Sequence, residues 1–596
     1  MILMVCILFY WALFRFCGSA LRIATRRFPF EIYASFQSRD IDDIDMGTRG
    51  ERLQKVLDWL IEAGAVGVER VLVQPTEALK SVANDPLCEE YAVFLCEDTQ
   101  PSEVILRIPL ICMITVEMGM VTSIGETLIR REMETMEELD LSSPKHCFLA
   151  IFLLSDRRNP DSWYQPYYQS LPETFPNVPL YWCEEDLSYL RGSHMLYLIK
   201  DRLENLEMDY NVLCEAAPAF SEFTLEEWTW ARMVVASRNF GIEIDGNHTD
   251  ALCPLADMLN HRRPRQTKWA YDSTTSEFKV ESIGLLHAGT ELLDSYGRKC
   301  NTRYLLNYGF CTPDNHDADG RCYNEVRLFF ALDPEDTAYL LKRQLAGTTF
   351  YRVRVNKDPS REGGGGFAGL GEYAEEADAE GCDGPAAVSG SRVLVGRGAR
   401  ISQHHEDASS REALSLLRFI CARAETGRCR ELVALPSLGD CNLQSSDEEI
   451  TPLSRHNEAD ALLLLSGLAQ EQLARYPCHL DQRREEGRGT ASSNPTYKNA
   501  RQRFAAMLVD SEREVCEYWI RLAGICVPLL RAEEEETAII GAGPGAAIQN
   551  QLLTVLSRAR DLAAAPSYGR PNDPARRYIE DVVIPLLEGD VTSLAK

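Results

Sequence analysis

Four short motifs that follow one another between residues 254 and 310 constrain the fold of this chain more than any other feature. The segment 254–261 reads PLADMLNH, and an Asp-Ser-Tyr-Gly step follows at 294–297. An asparagine at 301 and an Asn-Tyr-Gly-Phe step at 307–310 complete the series. An Asn-His pair alone is typical of a turn beside a core histidine. The ordered set at these spacings is far more specific than any of its members.

Length and net charge limit the number of domains and the kinds of partner that are expected. The chain has 596 residues, enough for two to four domains with cores of their own. Its formal net charge of -28 repels phosphate backbones, so nucleic acid is not an expected partner. A basic, lysine-bearing protein segment would be attracted instead. The alternative interpretation is that the acidity serves solubility alone.

The cysteine and histidine patterns do not indicate a metal site. The 19 cysteines are scattered without a pair at zinc-site spacing, and we expect reduced thiols of an intracellular protein. The run His404-His405-Glu406-Asp407 has no further ligand at helical spacing. We therefore predict a solvated loop at 404–407 and no metal in the protein.

The first residues differ from the rest of the chain. Met1 to Phe14 are all apolar, and arginines follow at positions 15, 22, 26 and 27 before the first acid at Glu31. The apolar run is shorter than a membrane-spanning helix requires. It suits the apolar core of a signal peptide, and the arginines that follow suit a transit peptide. We set residues 1–45 apart as such a segment and expect cytoplasm or plastid as the compartment.

Apolar periodicity places several elements before the motif-rich region. The pattern predicts a helix over 52–63 and a buried helix over 148–154. Short apolar runs at 71–73, 91–95 and 104–108 predict strands. Thr224 and Glu227 form a capping-box pattern, which predicts a helix through 228–235. Short strands and turns are expected to alternate over 251–309.

The pattern changes to long helices from about residue 324 onward. Helical periodicity marks five segments, at 336–345, 411–424, 458–473, 498–522 and 547–562. The segment 359–400 is rich in glycine, small and acidic residues, which predicts a flexible insertion.

Taken together, the four motifs resemble the two closing motifs of a SET domain, which thread together into a knot-like active site. Three further segments are similar to the Rubisco large-subunit methyltransferase branch: 162–172, 179–190 and 237–240. Downstream, 416–424, 476–477 and 499–514 resemble the helical substrate-binding domain of that branch. The resemblance implies an α+β fold with a SET lobe of short strands and a helical insert at 46–320. It also implies an all-helical C-terminal lobe at 321–596.

The resemblance further implies S-adenosylmethionine as cofactor, a lysine of a protein substrate as methyl acceptor, and a monomeric enzyme. It gives the catalytic role to Tyr296 and Tyr308, with Phe240 and Tyr308 shaping the channel of the substrate lysine. The residues that it places around the cofactor are Asn260, His261, Ser237, Arg238, Asp257 and Glu89.

These residue types suit methyl transfer to an amine. A neutral amine attacks an electron-poor methyl carbon in line, so catalysis consists mainly of positioning the two groups. A tyrosine hydroxyl hydrogen-bonds the amine, and an aromatic channel desolvates the lysine and lowers its pKa. Neither a metal nor a covalent nucleophile is required.

One part of the pattern departs from the family. The Gly-x-Gly of the family, which allows close backbone approach to the cofactor, is replaced here by Glu90 and Ala92. This departure leaves open a non-catalytic SET-like module that only binds a protein partner. Histidine methylation is a third possibility, although an aromatic at Phe240 together with Tyr308 favours lysine.

Overall fold

The computed structural model describes residues 49–75, 91–136, 138–347, 350–356, 391–422, 451–477, 497, 499–532, 544–565 and 573–594. The predicted leader segment 1–45, Glu89, Glu90 and residues 357–390 lie outside the described residues.

The N-terminal lobe is built from short strands arranged around helices. Its strands are β1 (Val71–Pro75), β2 (Tyr91–Leu95), β3 (Val104–Pro109), β4 (Ile114–Thr115), β5 (Asn239–Ile244), β6 (Asn247–Leu252), β7 (Asn260–His261), β8 (Thr267–Asp272), β9 (Glu277–Ser282) and β10 (Leu293–Asp294). Its helices are α1 (Arg49–Glu62), α2 (Val116–Met120), α3 (Ser123–Thr135), α4 (Pro144–Arg157), α5 (Gln165–Ser170), α6 (Glu184–Leu187), α7 (Met195–Ala216), α8 (Leu225–Arg238) and α9 (Asn301–Tyr308).

Small sheets, rather than one continuous sheet, organise this lobe. Antiparallel pairs join β1 to β2, and the orders β3-β9-β8 and β4-β6-β5 form two three-stranded sheets. The strands β7 and β10 lie far apart in the chain, yet they pair in parallel, with Asn260 opposite Leu293 and His261 opposite Asp294. This parallel pair brings the motif at 254–261 beside the motif at 294–297.

The predicted elements of the N-terminal lobe are confirmed, with one correction. The three predicted strands are β1, β2 and β3, and the three predicted helices are α1, α4 and α8. The capping box also forms, because the Glu227 amide donates to Thr224 Oγ1 at 3.1 Å and the Thr224 amide donates to Glu227 Oε2 at 2.8 Å. Residues 301–308, however, form a helix rather than a strand or turn. The sequence NTRYLLNY places Tyr304, Leu305 and Tyr308 at helical spacing.

The C-terminal lobe is mainly helical. Its helices are α10 (Tyr339–Ala346), α11 (Ala408–Cys421), α12 (Arg455–Arg475), α13 (Ala500–Leu530), α14 (Pro544–Ala563), α15 (Pro574–Tyr578) and α16 (Ile584–Leu594). The α+β class with a helical C-terminal lobe is thereby confirmed. The lobe also contains a three-stranded antiparallel sheet, ordered β11 (Glu325–Ala331), β13 (Ser391–Ser402) and β12 (Tyr351–Asn356).

Three predictions for this lobe are wrong in whole or in part. The lobe is not entirely helical, and residues 391–400 of the predicted flexible insertion belong to β13, which pairs antiparallel with β11 and β12. The predicted solvated loop at 404–407 is instead buried at its two histidines, since His404 is 2% exposed. The Cys322 amide donates to His404 Nε2 at 3.2 Å, so this histidine joins the loop to the preceding segment.

No helix among the described residues is long and apolar enough to cross a membrane.

A shared apolar core joins the two lobes. Leu190, Met195 and Leu305 of the N-terminal lobe pack with Phe504 and Leu508 of α13. Beside this core, the buried carboxylate of Glu512 accepts hydrogen bonds from Ser193 Oγ at 2.8 Å and from the Tyr476 hydroxyl at 2.9 Å. Burial raises the pKa of Glu512 to about 7. An ionisable group therefore lies at the junction between the lobes.

Glu512→Gln is expected to stabilise the protein at alkaline pH. The folded-state pKa of Glu512 lies above the unfolded value, so its contribution to stability is present below about pH 4.3 and is lost as pH rises through about 7. Glutamine has no charge to bury, so the free energy of unfolding of the variant should exceed that of the natural protein by about 2–3 kcal/mol at pH 8 and by nearly nothing at pH 4.5. Thermal unfolding at both values measures this. The control Glu204→Gln, at a half-exposed glutamate, should show no such pH dependence, and an equal gain for Glu512→Gln at both values would contradict the prediction.

Candidate functional site

The parallel pair of β7 and β10 fixes the position of the candidate site. Asn260 lies opposite Leu293 and His261 lies opposite Asp294, and the Arg262 amide donates to the Asp294 carbonyl at 2.8 Å. The residues predicted around the site therefore converge from two separate segments of the chain.

A buried ion pair forms one wall of the site. Arg238, the last residue of α8, donates from Nη1 to Asp257 Oδ2 at 3.1 Å, and the Tyr167 hydroxyl donates to the same oxygen at 2.9 Å. Burial raises the pKa of Asp257, while Arg238 and Tyr167 act against that shift. The turn that delivers Asp257 begins at Leu255, which is fully buried and has φ of 70°, a conformation that costs about 1–3 kcal/mol for such a residue.

The ion pair is not fully satisfied by the protein. Arg238 Nε and Asp257 Oδ1 are buried and have no hydrogen-bond partner in the described part of the chain. A guanidinium N–H and a carboxylate oxygen are thus left unsatisfied, and a group that carries both an acceptor and a donor would complement them.

His261 is held as the neutral ring. The backbone amide of Tyr296 donates to His261 Nδ1 at 3.0 Å, which places the ring proton on Nε2. Burial, reinforced by the charges of Arg263 and Lys299, lowers the pKa of His261 to about 4. Its Nε2 is buried and lacks a hydrogen-bond partner among the described residues.

Aromatic rings surround His261. The Tyr296 and Tyr308 rings lie 4.7 Å apart between centroids, and His261 lies 4.6 Å from Tyr304. Phe310 stacks on Tyr304 at 5.2 Å. The Tyr296 hydroxyl donates to the Leu259 carbonyl at 2.9 Å, and burial raises its pKa well above the ordinary value. Tyr296 therefore remains a neutral hydroxyl with fixed orientation.

Asn260 connects the two halves of the site. Its Nδ2 donates to Glu291 Oε1 at 2.8 Å and to the Tyr91 carbonyl of β2 at 3.4 Å. Ala92, which stands where the family has a glycine, is fully buried within β2. The methyl group of Ala92 is thus accommodated in the interior of the lobe.

Two of the predicted site residues are engaged elsewhere. The Ser237 hydroxyl donates to the Met233 carbonyl of its own helix at 2.8 Å. The Phe240 ring packs against Phe278 at 5.0 Å and Trp269 at 5.2 Å, in a ring cluster separate from that of Tyr296 and Tyr308. The cofactor role of Ser237 and the substrate role of Phe240 stay predictions.

Lys299 extends toward the same aromatic cluster. Its ammonium donates to the Tyr296 carbonyl and lies 5.8 Å from the centroid of the Tyr308 ring. Burial, followed by the charges of Arg303 and Arg263, lowers the pKa of Lys299. The surroundings of the cluster therefore disfavour an ammonium ion.

Comparison with known proteins agrees with this arrangement. Residues 381–515 match the family described as Rubisco LSMT substrate-binding. The crystal structure of the SET domain of LSMT bound to lysine and AdoHcy superposes with a TM-score of 0.53, covering 84% of this chain and 98% of that one, at 18% identity. This chain has the SET-domain fold of the Rubisco LSMT type. LSMT bound to AdoMet gives a TM-score of 0.52 over 84% of this chain and 99% of that one, at 18% identity.

Curated relatives of this LSMT-type chain include two kinds of methyltransferase. Ribosomal lysine N-methyltransferase set10 of Schizosaccharomyces pombe is 31% identical over 196 residues, which are 32% of this chain and 35% of the relative. The actin-histidine N-methyltransferase of Dasypus novemcinctus is 25% identical over 268 residues, 43% of each protein. The chain thus spans less than half the length of these relatives.

Several residues around the candidate site were not predicted from the sequence, and three of them are discussed in turn. Tyr304 precedes Tyr308 by four residues, a spacing that places both on one helix face and would have revealed it once α9 was recognised. Glu291 reaches Asn260 only through the pairing of β7 with β10, for which the sequence holds no signal. Lys299 is the third, and its approach to Tyr308 depends on the turn at 296–299.

Gly309→Ala is expected to destabilise the SET lobe. Gly309 ends α9 with φ of 79°, and an added Cβ would lie 3.0 Å from the Asn177 carbonyl carbon. The left-handed conformation alone costs about 1–2 kcal/mol for a residue with a side chain. Gly246, with φ of 80° and open space around it, provides a matched control. Gly309→Ala should lower the midpoint of thermal unfolding further than Gly246→Ala, and equal shifts would contradict the close approach.

Proposed function

We propose that this chain transfers the methyl group of S-adenosylmethionine to a lysine side chain of a protein substrate. The observation that carries the proposal is the position of the Tyr296 hydroxyl. It is fixed on the Leu259 carbonyl, inside an aromatic cluster and next to buried polar atoms without partners. The lysine methyltransferase among the relatives supports the same assignment.

The residues present fit S-adenosylmethionine. Its amino-acid end carries a carboxylate and an ammonium, which complement the free N–H of Arg238 Nε and the free Asp257 Oδ1. Asn260 and His261, which form β7, follow Asp257 closely in the chain. When bound, the cofactor supplies an electron-poor methyl carbon attached to a sulfonium.

The protein contributes the control of the acceptor amine. Only the neutral amine is nucleophilic, so the ammonium must lose its proton before attack. Lys299 indicates how the cluster acts on an amine at this place, since burial and two arginines lower its pKa. A substrate lysine beside Tyr308 would meet the same environment.

Tyr296 and Tyr308 would orient that amine. The Tyr296 hydroxyl gives its proton to the Leu259 carbonyl, which leaves its oxygen lone pairs to accept a hydrogen bond from the amine. The Tyr308 ring, 4.7 Å from Tyr296, limits the space beside the amine and excludes water. Positioning of this kind supplies much of the rate enhancement of two-reactant transfers.

Two measurements test the proposal. Isothermal titration calorimetry with S-adenosylmethionine should detect binding to the natural protein and much weaker binding to Arg238→Leu. Transfer of radioactive methyl groups from the cofactor to protein fractions, followed by mass spectrometry, should then locate the label on lysine. A protein that binds no cofactor would be a SET-like binding module, in agreement with the replaced Gly-x-Gly.

Histidine is the second candidate acceptor, because actin-histidine methyltransferases are among the relatives. The same mass-spectrometric measurement separates the two, since label on a histidine ring would replace the lysine assignment while leaving the methyl transfer intact.

A further inference from the structure

Positive charge borders the aromatic cluster on the side of the turn at 296–299. Lys299 lies over the Tyr308 ring, and Arg263 and Arg303 are close enough to lower its pKa electrostatically. Arg263 and Arg298 both stack on the ring of Tyr323, at 4.4 Å and 5.7 Å. We call the four cations Arg263, Arg298, Lys299 and Arg303 the basic rim.

Carboxylates of the protein neutralise the basic rim only in part. Asp317 lies 3.3 Å from Arg298 and 3.7 Å from Arg263, and it is the one carboxylate that forms ion pairs with the rim in the described part of the chain. Arg303 is exposed and forms no ion pair with any described residue. The basic rim therefore carries an excess of positive charge on a chain whose net charge is -28.

Arg263 adds a second, independent indication. Its side chain is 3% exposed, and its Nε and Nη1 have no hydrogen-bond partner among the described residues. An unpaired buried N–H costs free energy, so such a group is expected to serve a structural or binding purpose.

Arg321, which contacts the same Tyr323 ring as Arg263 and Arg298, is an arginine with a structural role. It also stacks on Tyr323, at 5.9 Å, and its Nε likewise has no hydrogen-bond partner among the described residues, but it is ion-paired with Asp407 and lies 3.9 Å from Glu406. Those two acids follow β13, so Arg321 joins the segment before β11 to the segment after β13. The rim arginines lack such compensation, because one carboxylate serves two of them.

The charge of the rim has a direct consequence for a substrate. It repels the ammonium form of the target lysine, so the target itself contributes little electrostatic attraction. A substrate is attracted only if the chain around its target residue carries carboxylates. We propose that the basic rim binds an acidic segment of the protein substrate adjacent to the methyl acceptor. This inference rests on the proposed function, and it replaces the expectation that a basic segment is preferred at the site.

Binding of short peptides to the full chain tests the inference without requiring methyl transfer. Fluorescence anisotropy would compare three labelled nonapeptides with a central lysine, flanked by Asp and Glu, by Ser and Gly, or by Arg and Ser. The acidic peptide should bind about ten-fold more tightly than the basic one, and its affinity should fall as salt rises. A neutral or basic peptide that binds as tightly would overturn the inference.

Charge reversal locates the interaction. Arg298, with a side chain 73% exposed, and the exposed Arg303 are suitable positions. Arg298→Glu and Arg303→Glu should each weaken the acidic peptide roughly five-fold without weakening the neutral one. Arg521→Glu on α13, at a similarly exposed arginine far along the chain, is the control. An equal loss in that control would assign the effect to net charge and overturn the inference.

Three further outcomes are informative. Binding of a single-stranded RNA oligomer as tight as that of the acidic peptide would identify a general anion site and overturn the assignment to a peptide. Preference for the acidic peptide in a protein that transfers no methyl group would support the inference while the proposed function fails. Methylated lysines without acidic neighbours would overturn the inference and leave the proposed function standing.

Discussion

Asp257→Ala is expected to lower the free energy of unfolding by about 3–5 kcal/mol. Asp257 is fully buried, and its carboxylate is the partner of both Arg238 and the Tyr167 hydroxyl. Removing it leaves the Arg238 guanidinium, with a side chain 20% exposed, only the Asp257 backbone carbonyl as acceptor, and it leaves the buried Tyr167 hydroxyl without one. The resulting desolvation cost is larger than the loss of the pair itself.

The loss should be far larger than that at an exposed ion pair. Glu204 pairs with Lys200 on the exposed face of α7, with side chains 54% and 70% exposed, so Glu204→Ala should cost less than about 1 kcal/mol. Urea unfolding of both variants measures the difference. A cost for Asp257→Ala as small as that for Glu204→Ala would show that water enters the ion pair and compensates Arg238.

A double variant separates stability from function at this pair. Arg238→Leu with Asp257→Leu removes both charges together, and replacement of a buried pair by apolar residues is often nearly neutral for stability. If the pair serves the cofactor, the double variant should lose only the cost of the Tyr167 hydroxyl left without its acceptor, about 1–3 kcal/mol, and yet bind S-adenosylmethionine at least about a hundred-fold more weakly, as expected when two charge-assisted hydrogen bonds are lost.

The sequence predicted the site best where one local segment carries the information. The helix predicted through 228–235 was placed correctly, because capping residues and apolar spacing determine it locally. Asp257 and Arg238 were assigned to one pocket by resemblance, and the structure brings their side chains to 3.1 Å.

Pairing between distant segments limited the prediction elsewhere. The contact of Asn260 with Glu291 depends on the parallel register of β7 and β10, and two-residue strands have no periodicity from which a register can be inferred. The burial of His404 similarly depends on its contact with Cys322, which lies 82 residues earlier. Burial of a polar residue follows from such tertiary partners rather than from its neighbours in sequence.

The sheet of the C-terminal lobe illustrates a different limit. Composition predicted a flexible insertion over 359–400, but the strand β13 begins inside this range, at Ser391. Gly396 and Gly398 lower the strand propensity of β13, yet they lie close to Phe330 and Arg327 of the sheet, where an added Cβ would clash. Close packing of the sheet therefore requires these two glycines, and the same glycines made β13 difficult to predict from the sequence.

Tyr296→Phe is expected to reduce the rate of methyl transfer by about 10²–10³-fold while leaving the fold intact. The substitution removes one oxygen atom and keeps the ring that packs against Tyr308 and His261. The Leu259 carbonyl loses one hydrogen bond, which costs about 1 kcal/mol of stability. The binding of S-adenosylmethionine, which we assign to Arg238 and Asp257, should change little.

Tyr168→Phe provides the matched control. Tyr168 is a buried tyrosine of the same lobe whose hydroxyl donates to Asp156 at 2.7 Å, outside the site. Tyr168→Phe should lower the free energy of unfolding by a similar or larger amount than Tyr296→Phe. Its rate of methyl transfer should stay within about three-fold of the natural rate, because the Tyr168 hydroxyl contacts neither reactant. Single-turnover transfer to the preferred peptide, with calorimetry of cofactor binding beside it, measures both effects. A Tyr296→Phe protein as fast as Tyr168→Phe would exclude the hydroxyl from orienting the amine, and the aromatic cluster alone would then have to supply the alignment.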